Sequence, residues 1–190
     1  IIFHANGVGG RIMEDFIERK TFCGVIDLST NELTDHLVKA FHDAGPHRLE
    51  VAGKMGIPQI IIPGCVDFFA VGPLDTVPEK WRDRKKYYHN PAYTLLRPTP
   101  EEMKQIAEMF VRKLNAAKGP VRIVLPLRGM SIGGLKGGST YDPEGDKIFF
   151  ETLKRGLHEN IPIFELDCHV NEEPLAKKVV EEFFKLMGET

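Results

Sequence analysis

The chain lacks most of what would commit it to a specialised class. No run of eighteen or more apolar residues occurs in its 190 positions, so no ordinary membrane-spanning helix is expected. Charge of one sign is also missing. Twenty-five Lys and Arg stand against 27 Asp and Glu, which leaves no bulk attraction for nucleic acid. The longest basic run, Arg82-Asp83-Arg84-Lys85-Lys86, is broken by an acid and reads as a solvated loop rather than an RNA-binding patch. Cysteine is scarce. Cys23, Cys65 and Cys168 are far apart, form no Cys-x-x-Cys pair and follow no secretory segment, which points to a reducing cytoplasm with small buried thiols. Three catalytic signatures are absent as well. Gly7, Gly9 and Gly10 stop short of G-x-G-x-x-G because residue 12 is Ile; there is no Walker Gly-Lys-Ser/Thr; neither Ser131 nor Ser139 lies in G-x-S-x-G. A starting Met is missing too, and Ile1 already stands in an apolar run, so a preceding domain or a processed start is expected.

What is present is ordinary globular composition, 42% hydrophobic, over a length that buries one full core. Residues 1–190 are therefore read as a single domain. Apolar runs at Ile1 to Ala5, Cys23 to Leu28, Pro58 to Pro63, Val121 to Leu127 and Ile161 to Cys168 do not alternate, which predicts strands buried on both faces. Helical spacing separates them. It is carried by Ile12, Phe16 and Ile17, then by Leu33, Leu37, Val38 and Phe41 behind a capping box at Ser29 to Glu32. Pro46 is expected to open a third helix that stops at Gly56. Thr99-Pro100-Glu101-Glu102 caps a fourth, Asp142-Pro143 starts a fifth, and a sixth runs on from about Pro174. Repeated β–α units predict an α/β fold, an open and mainly parallel sheet with helices on both faces, Rossmann-like in three layers. Two segments resist this pattern. Cys65 to Pro98 and the glycine-rich Leu127 to Tyr141 read as long irregular loops, which in compact domains are usually functional.

In such sheets ligands sit at the carboxyl ends of the strands. There the first run feeds Asn6, Gly7, Gly9, Gly10 and Arg11, a glycine turn at a helix start, suited to a phosphate or carboxylate; the plainer reading is a tight strand-to-helix connection. The second glycine loop, Gly133 to Thr140, has the parts of a phosphate-gripping flap or of a flexible surface loop. Arg128, beside Gly129, offers a planar fork to an anion or a salt bridge to a neighbouring acid. Asp167 and His169, with Asn171, Asp27, Asp67, His4 and His89, are candidates for acid/base work or for a metal site, or are turn, cap and core groups. Cys65 and Cys168 are read as inert buried thiols ahead of nucleophiles. No metal ligand set is assigned.

The residues also resemble a known family, the two-domain ATP-binding proteins related to the tomato mosaic virus resistance protein. The matching stretches are His4 to Arg11, Asp27 to Leu33, Ala44 to Glu50, Gly56 to Gln59, Pro63 to Asp67, Gly72 to Pro78, His89 to Pro91, Arg97 to Glu102, Leu125 to Gly129 and Asp167 to Asn171. The resemblance implies the C-terminal α/β half of a longer protein whose first domain carries much of the nucleotide-binding character. It implies ATP as a cofactor at a site that the missing domain helps to complete.

Two functions follow as expectations. The first is a ligand-binding domain of a two-domain nucleotide-associated protein, holding a small anion through Asn6, Gly7, Gly9, Gly10, Arg11, Asp67, Arg128 and Gly129. The alternative is an enzyme of small-molecule metabolism, hydrolase or ligase-like, in which Asp167 or His169 exchanges a proton and Arg128 orients the substrate. Expected partners are the preceding domain or a partner chain and a second copy in a homo-oligomer; nucleic acid and membrane are not expected.

Overall fold

The computed structural model describes residues 6–188, so the run from Ile1 to Ala5, with His4, lies outside the described residues. The described chain opens with α1 (Val8–Glu18) and then β1 (Val25–Ser29), α2 (Glu32–Val38), α3 (Val51–Met55) and β2 (Gln59–Gly64). A second sheet follows, of β3 (Phe69–Val71), β4 (Lys86–Asn90) and β5 (Tyr93–Leu96). The chain ends with α4 (Pro100–Asn115), β6 (Val121–Pro126), α5 (Pro143–Gly156), β7 (Ile163–Leu166) and α6 (Glu173–Met187). The main sheet is parallel, in the order β1-β2-β6-β7, with Ile26 beside Ile60, Ile61 beside Ile123 and Val124 beside Phe164.

Because β1 to β7 step across the sheet in one direction, right-handed crossovers bring the connecting helices to one face. There Ile61, Ile123 and Leu125 meet Leu33 of α2, Met103, Ile106 and Phe110 of α4, and Phe149 and Leu153 of α5. Phe110 and Phe149 meet edge to face at 5.6 Å, which locks α4 against α5. The opposite side of the sheet, with Ile60, Ile62 and Val124, is covered by Leu175 and Val179 of α6. Helices thus lie on both faces. Among the described strands the order never reverses, so the edge holds no switch point of the kind that marks many ligand crevices.

Local chemistry explains most boundaries. Thr99 accepts from the Glu102 N–H at 3.2 Å while Glu102 accepts from the Thr99 N–H at 2.8 Å, the expected capping box of α4. Gly56 takes the left-handed conformation that ends α3.

Four expectations are corrected. Ser29 ends β1 instead of capping α2, because the Glu32 carboxylate is drawn to the Gly7 N–H and to Arg48 and does not reach back. Pro46 lies in a turn, and α3 starts only at Val51, where Glu14 of α1 accepts from the Leu49 and Val51 N–H groups. β1 does alternate: Val25 and Asp27 are buried while Ile26 and Leu28 are 41% and 46% exposed, since α6 packs on β2 and β6. The fourth concerns Cys65 to Pro98, which holds the antiparallel sheet β3-β5-β4 around Phe69, Val71, Val77, Trp81 and Leu96. Within its basic run, Arg84 grips Glu102 at 2.5 and 2.8 Å and Lys86 opens β4, while Arg82 and Lys85 stay exposed. Leu127 to Tyr141 is irregular, as expected.

Candidate functional site

Three assemblies line the carboxyl edge. At the β1 end, Asn6 donates from its amide to Asn31, the Gly7 N–H donates to Glu32 Oε1 at 3.3 Å, and Arg11 donates to the Asp43 carbonyl at 3.1 Å. The start of α1 therefore already faces a carboxylate, the protein's own Glu32. Behind it Arg48, 1% exposed, holds Asp27 through both terminal nitrogens at 2.5 and 2.6 Å and stands 3.4 Å from both Glu14 and Glu32. One cation thus serves three buried acids. Burial raises the Glu14 carboxyl above its ordinary value, against the pull of Arg48 and the Leu49 N–H. Asp35, which accepts from the His42 and Ala70 N–H groups, is pushed by burial up to about 7.

Behind β2 and β6 lies a buried polar layer. Ser131 donates to Asp67 Oδ2 at 2.7 Å, and Arg97 Nη1 stands 3.6 Å from the same oxygen. Burial raises Asp67, with Arg97 and the Ser131 hydroxyl pulling the other way. His169 is 7% exposed; its Nε2 donates to the Ser131 carbonyl at 3.0 Å and its Nδ1 accepts from the Asn171 N–H at 3.2 Å. Both ring nitrogens are thus engaged, which fixes a neutral imidazole with its proton on Nε2. The glycine-rich loop seals this layer: a Cβ on Gly134 would overlap Asp67 Oδ2, so only glycine lets the loop settle there. Cys65 follows β2 at a φ of 64°, and burial together with the Asp67 and Glu32 charges pushes its thiol up to about 12.

The third assembly is open to solvent. Arg128 donates from Nε and Nη2 to Asp167 at 2.8 and 2.7 Å, and the two side chains are 56% and 77% exposed. Each perturbs the other: hydrogen bonding to Asp167 raises Arg128 and hydrogen bonding to Arg128 lowers Asp167. Arg128 also borders a cleft of about 590 Å³ between the glycine-rich loop, one face of α5 from Pro143 to Lys154, and β7. Its walls carry Leu127, Leu135, Tyr141, Pro143 and Phe150. Its charged groups are Arg128, Lys136, Lys147 and Lys154 on one count and Asp146, Glu151 and Glu165 on the other. Lys154 bonds Glu151 and Glu165, whereas among the described residues Lys136 and Lys147 join no ion pair.

Of what the sequence singled out, Arg128 lines this cleft, with Gly129 next to it in the chain, and so do Leu135 and Lys136 of the second glycine loop. Asn6, Gly7, Gly9, Gly10 and Arg11 belong to the β1 end, and Asp67 and His169 to the buried layer. Arg48, Arg97 and Asp146 were not singled out. The acidic partners of the two arginines lie 16 to 49 positions away, and no local spacing announces them. Among the described residues no three His, Cys, Asp or Glu side chains converge as a metal site. No helix there is long and apolar enough to cross a membrane.

Residues 1–187 match the model of the Uncharacterised protein family (UPF0261) C-terminal domain. A UPF0261 protein of Clostridium tetani is 39% identical over 188 residues, 98% of this chain and 46% of its own length. A UPF0261 protein of Brucella melitensis is 33% identical over 99% of this chain and 45% of its own. The ToMV resistance protein Tm-1(GCR237) of Solanum lycopersicum is 32% identical over 98% of this chain and 25% of its own. The chain spans less than half the length of these bacterial relatives and falls on the family's C-terminal part. It belongs to the UPF0261 family and is the C-terminal domain of that family.

Proposed function

We propose that this domain binds a small anionic molecule at the C-terminal ends of β6 and β7, in the cleft under the glycine-rich loop. The observation that carries the reading is the cleft itself. At about 590 Å³ it lies within the range of small-molecule sites, and it gathers four cationic side chains, Arg128 and Lys136 from the loop after β6 and Lys147 and Lys154 from along α5. Arg128 reaches a ligand by exchanging Asp167, an exposed partner that costs little to leave. Among the described residues Lys136 joins no ion pair, and Lys147 acts on Glu151 only through space, without a salt bridge to break.

Charge decides which anion. Four cations against three carboxylates leave the cleft at about +1, too little for a triphosphate of roughly four negative charges. A carboxylate or a single phosphate suits it better, and an ATP site would draw further charge from the N-terminal half of a full-length family protein. The enzyme reading gives Asp167 or His169 a proton to move. His169 would first have to release the Ser131 carbonyl and the Asn171 N–H, so binding is the preferred role. Cytoplasmic residence, a homo-oligomer and contact with the family's first domain are proposals on the same footing.

The test is a thermal-shift series on the chain with phosphate, small carboxylates, ADP and ATP, because a ligand bound only by the folded state stabilises as its concentration passes Kd. A saturable shift that Lys136→Ala/Lys147→Ala abolishes supports the reading. No shift with any anion sinks it.

A further inference from the structure

We propose that the cleft takes a ligand with one carboxylate on an apolar body, and that this carboxylate docks against Asp146 and takes up one proton as it binds. The inference rests on the anion-binding reading above and adds the class of ligand and the proton. The apolar half of the argument is the wall. Leu127 and Leu135 are 42% and 41% exposed, and they face a cleft that also holds Tyr141, Pro143 and Phe150. Large apolar side chains left open in a concavity favour a ligand that covers them.

The polar half lies at Asp146. Its Oδ1 accepts from Arg97 Nη2 at 2.6 Å, and Asp146 stands between the cleft and that guanidinium. Arg97 is 3% exposed, and its Nε and Nη1 make no hydrogen bond. Asp67 at 3.6 Å and Asp142 at 3.8 Å neutralise it from behind without bonding those nitrogens. Asp146 is thus anchored by one oxygen on a buried cation with donors to spare, and its other oxygen is available to a partner.

Two carboxylates that meet in a partly buried site cannot both remain ionised. One proton from solvent settles between them, and protonated Asp146 donates through Oδ2 to the ligand carboxylate while Oδ1 keeps Arg97. No covalent bond changes. Burial already pushes Asp146 up to about 6 against the pull of Arg97, and the negative Asp67 and Asp142 add to the rise. Lys85 faces Asp142 at 3.8 Å, and His169 reaches Asp67 only through Ser131, whose carbonyl it bonds while the Ser131 hydroxyl bonds Asp67. Within the cleft Lys136, Lys147 and Arg128 favour the incoming anion, while Glu151 and Glu165 are held by Lys154.

The experiment is titration calorimetry on the full chain with phenylacetate, inorganic phosphate and 2-phenylethanol, at about pH 6 and pH 8 and in buffers of different ionisation enthalpy. Phenylacetate is expected to bind roughly fiftyfold more weakly at the higher pH and to take up close to one proton there. Asp146→Asn is expected to flatten the pH profile, and the proton count on the unaltered chain stands as a test even if that variant does not fold. Binding of phenylacetate without proton uptake overturns the proposal. So does binding of phosphate with none of phenylacetate, which leaves the anion-binding reading in place. No binding of either anion removes both.

Discussion

Arg48→Met removes the one cation shared by Asp27, Glu14 and Glu32 and puts an apolar chain of similar length in its place. All four groups are buried, with Arg48 at 1% exposure, so no solvent stands ready to replace the guanidinium. Breaking a buried pair on one side costs about 3–5 kcal/mol, because the remaining charges stay desolvated. A domain has only about 5–15 kcal/mol to lose. At roughly 2–4 °C per kcal/mol for this size, the thermal midpoint should fall by about 6–20 °C near neutral pH.

The loss should depend on pH in a definite direction. Burial already holds Glu14 above its ordinary value, and Arg48 opposes that rise; without Arg48 the rise grows. An acid whose folded pKa exceeds its unfolded one binds its proton more tightly when folded. Its contribution is present at low pH and is lost as pH rises through the folded value. The variant should therefore be less impaired at about pH 5 than at about pH 7.5, and Arg48→Met/Asp27→Leu should recover part of the deficit by removing an orphaned charge. Circular dichroism melts at both pH values provide the measurement. A deficit below about 1 kcal/mol, or one equal at both pH values, would refute the role given to Arg48.

Three further outcomes are expected. Gly134→Ala drives a Cβ into Asp67 Oδ2 and should cost about 1–3 kcal/mol in urea unfolding, with the glycine-rich loop opened to proteolysis; an unchanged midpoint and cleavage pattern would count against the close contact. Thr99→Ala removes half of the α4 capping box and should cost about 1 kcal/mol by the same assay. Thiol titration with a disulfide reagent near pH 8 should find exposed Cys23 first. Half-buried Cys65, its thiol pushed up to about 12, should react far more slowly than Cys23, and buried Cys168 only on unfolding; labelling of Cys65 as fast as Cys23 would contradict the raised thiol.

How far the fold was legible follows from where each signal resides. β2 and β6 announce themselves because both faces are buried and their apolar runs are continuous. α4 does so through a cap and five core residues within one segment. β1 misleads, because its apolar residues include Ile26 and Leu28, which α6 leaves exposed. The second sheet stays hidden because β3 is three residues long and the core under it draws Phe69, Val77, Trp81 and Leu96 from separated positions. Reading the strand ends together places Asp27, Asp67, Arg128, Asp167 and His169 on one edge. It does not reveal which charge faces which, since Arg48 and Arg97 find their acids across 16 to 49 positions of chain.

Those pairings bear on what the edge can do. Three arginines stand at or behind it, and each already holds an acid: Arg48 holds Asp27, Arg97 holds Asp146, and Arg128 holds Asp167. Under the proposed anion-binding role, an anion that engages one of these arginines exchanges with its resident carboxylate or shares a proton with one, whereas Lys136 and Lys147 of the cleft have no salt bridge to break. The β1 end is the costliest place for such an exchange, because Glu32 already occupies the α1 N-terminus and Arg48 cannot leave Asp27 without stranding a buried charge. The β7 end is the least costly, because Asp167 is exposed and can return to water. The gradient from buried to exposed pairs along one edge is therefore a gradient of exchangeability, and under the proposed anion-binding role it favours the cleft beside Arg128 over the glycine turn at Gly7.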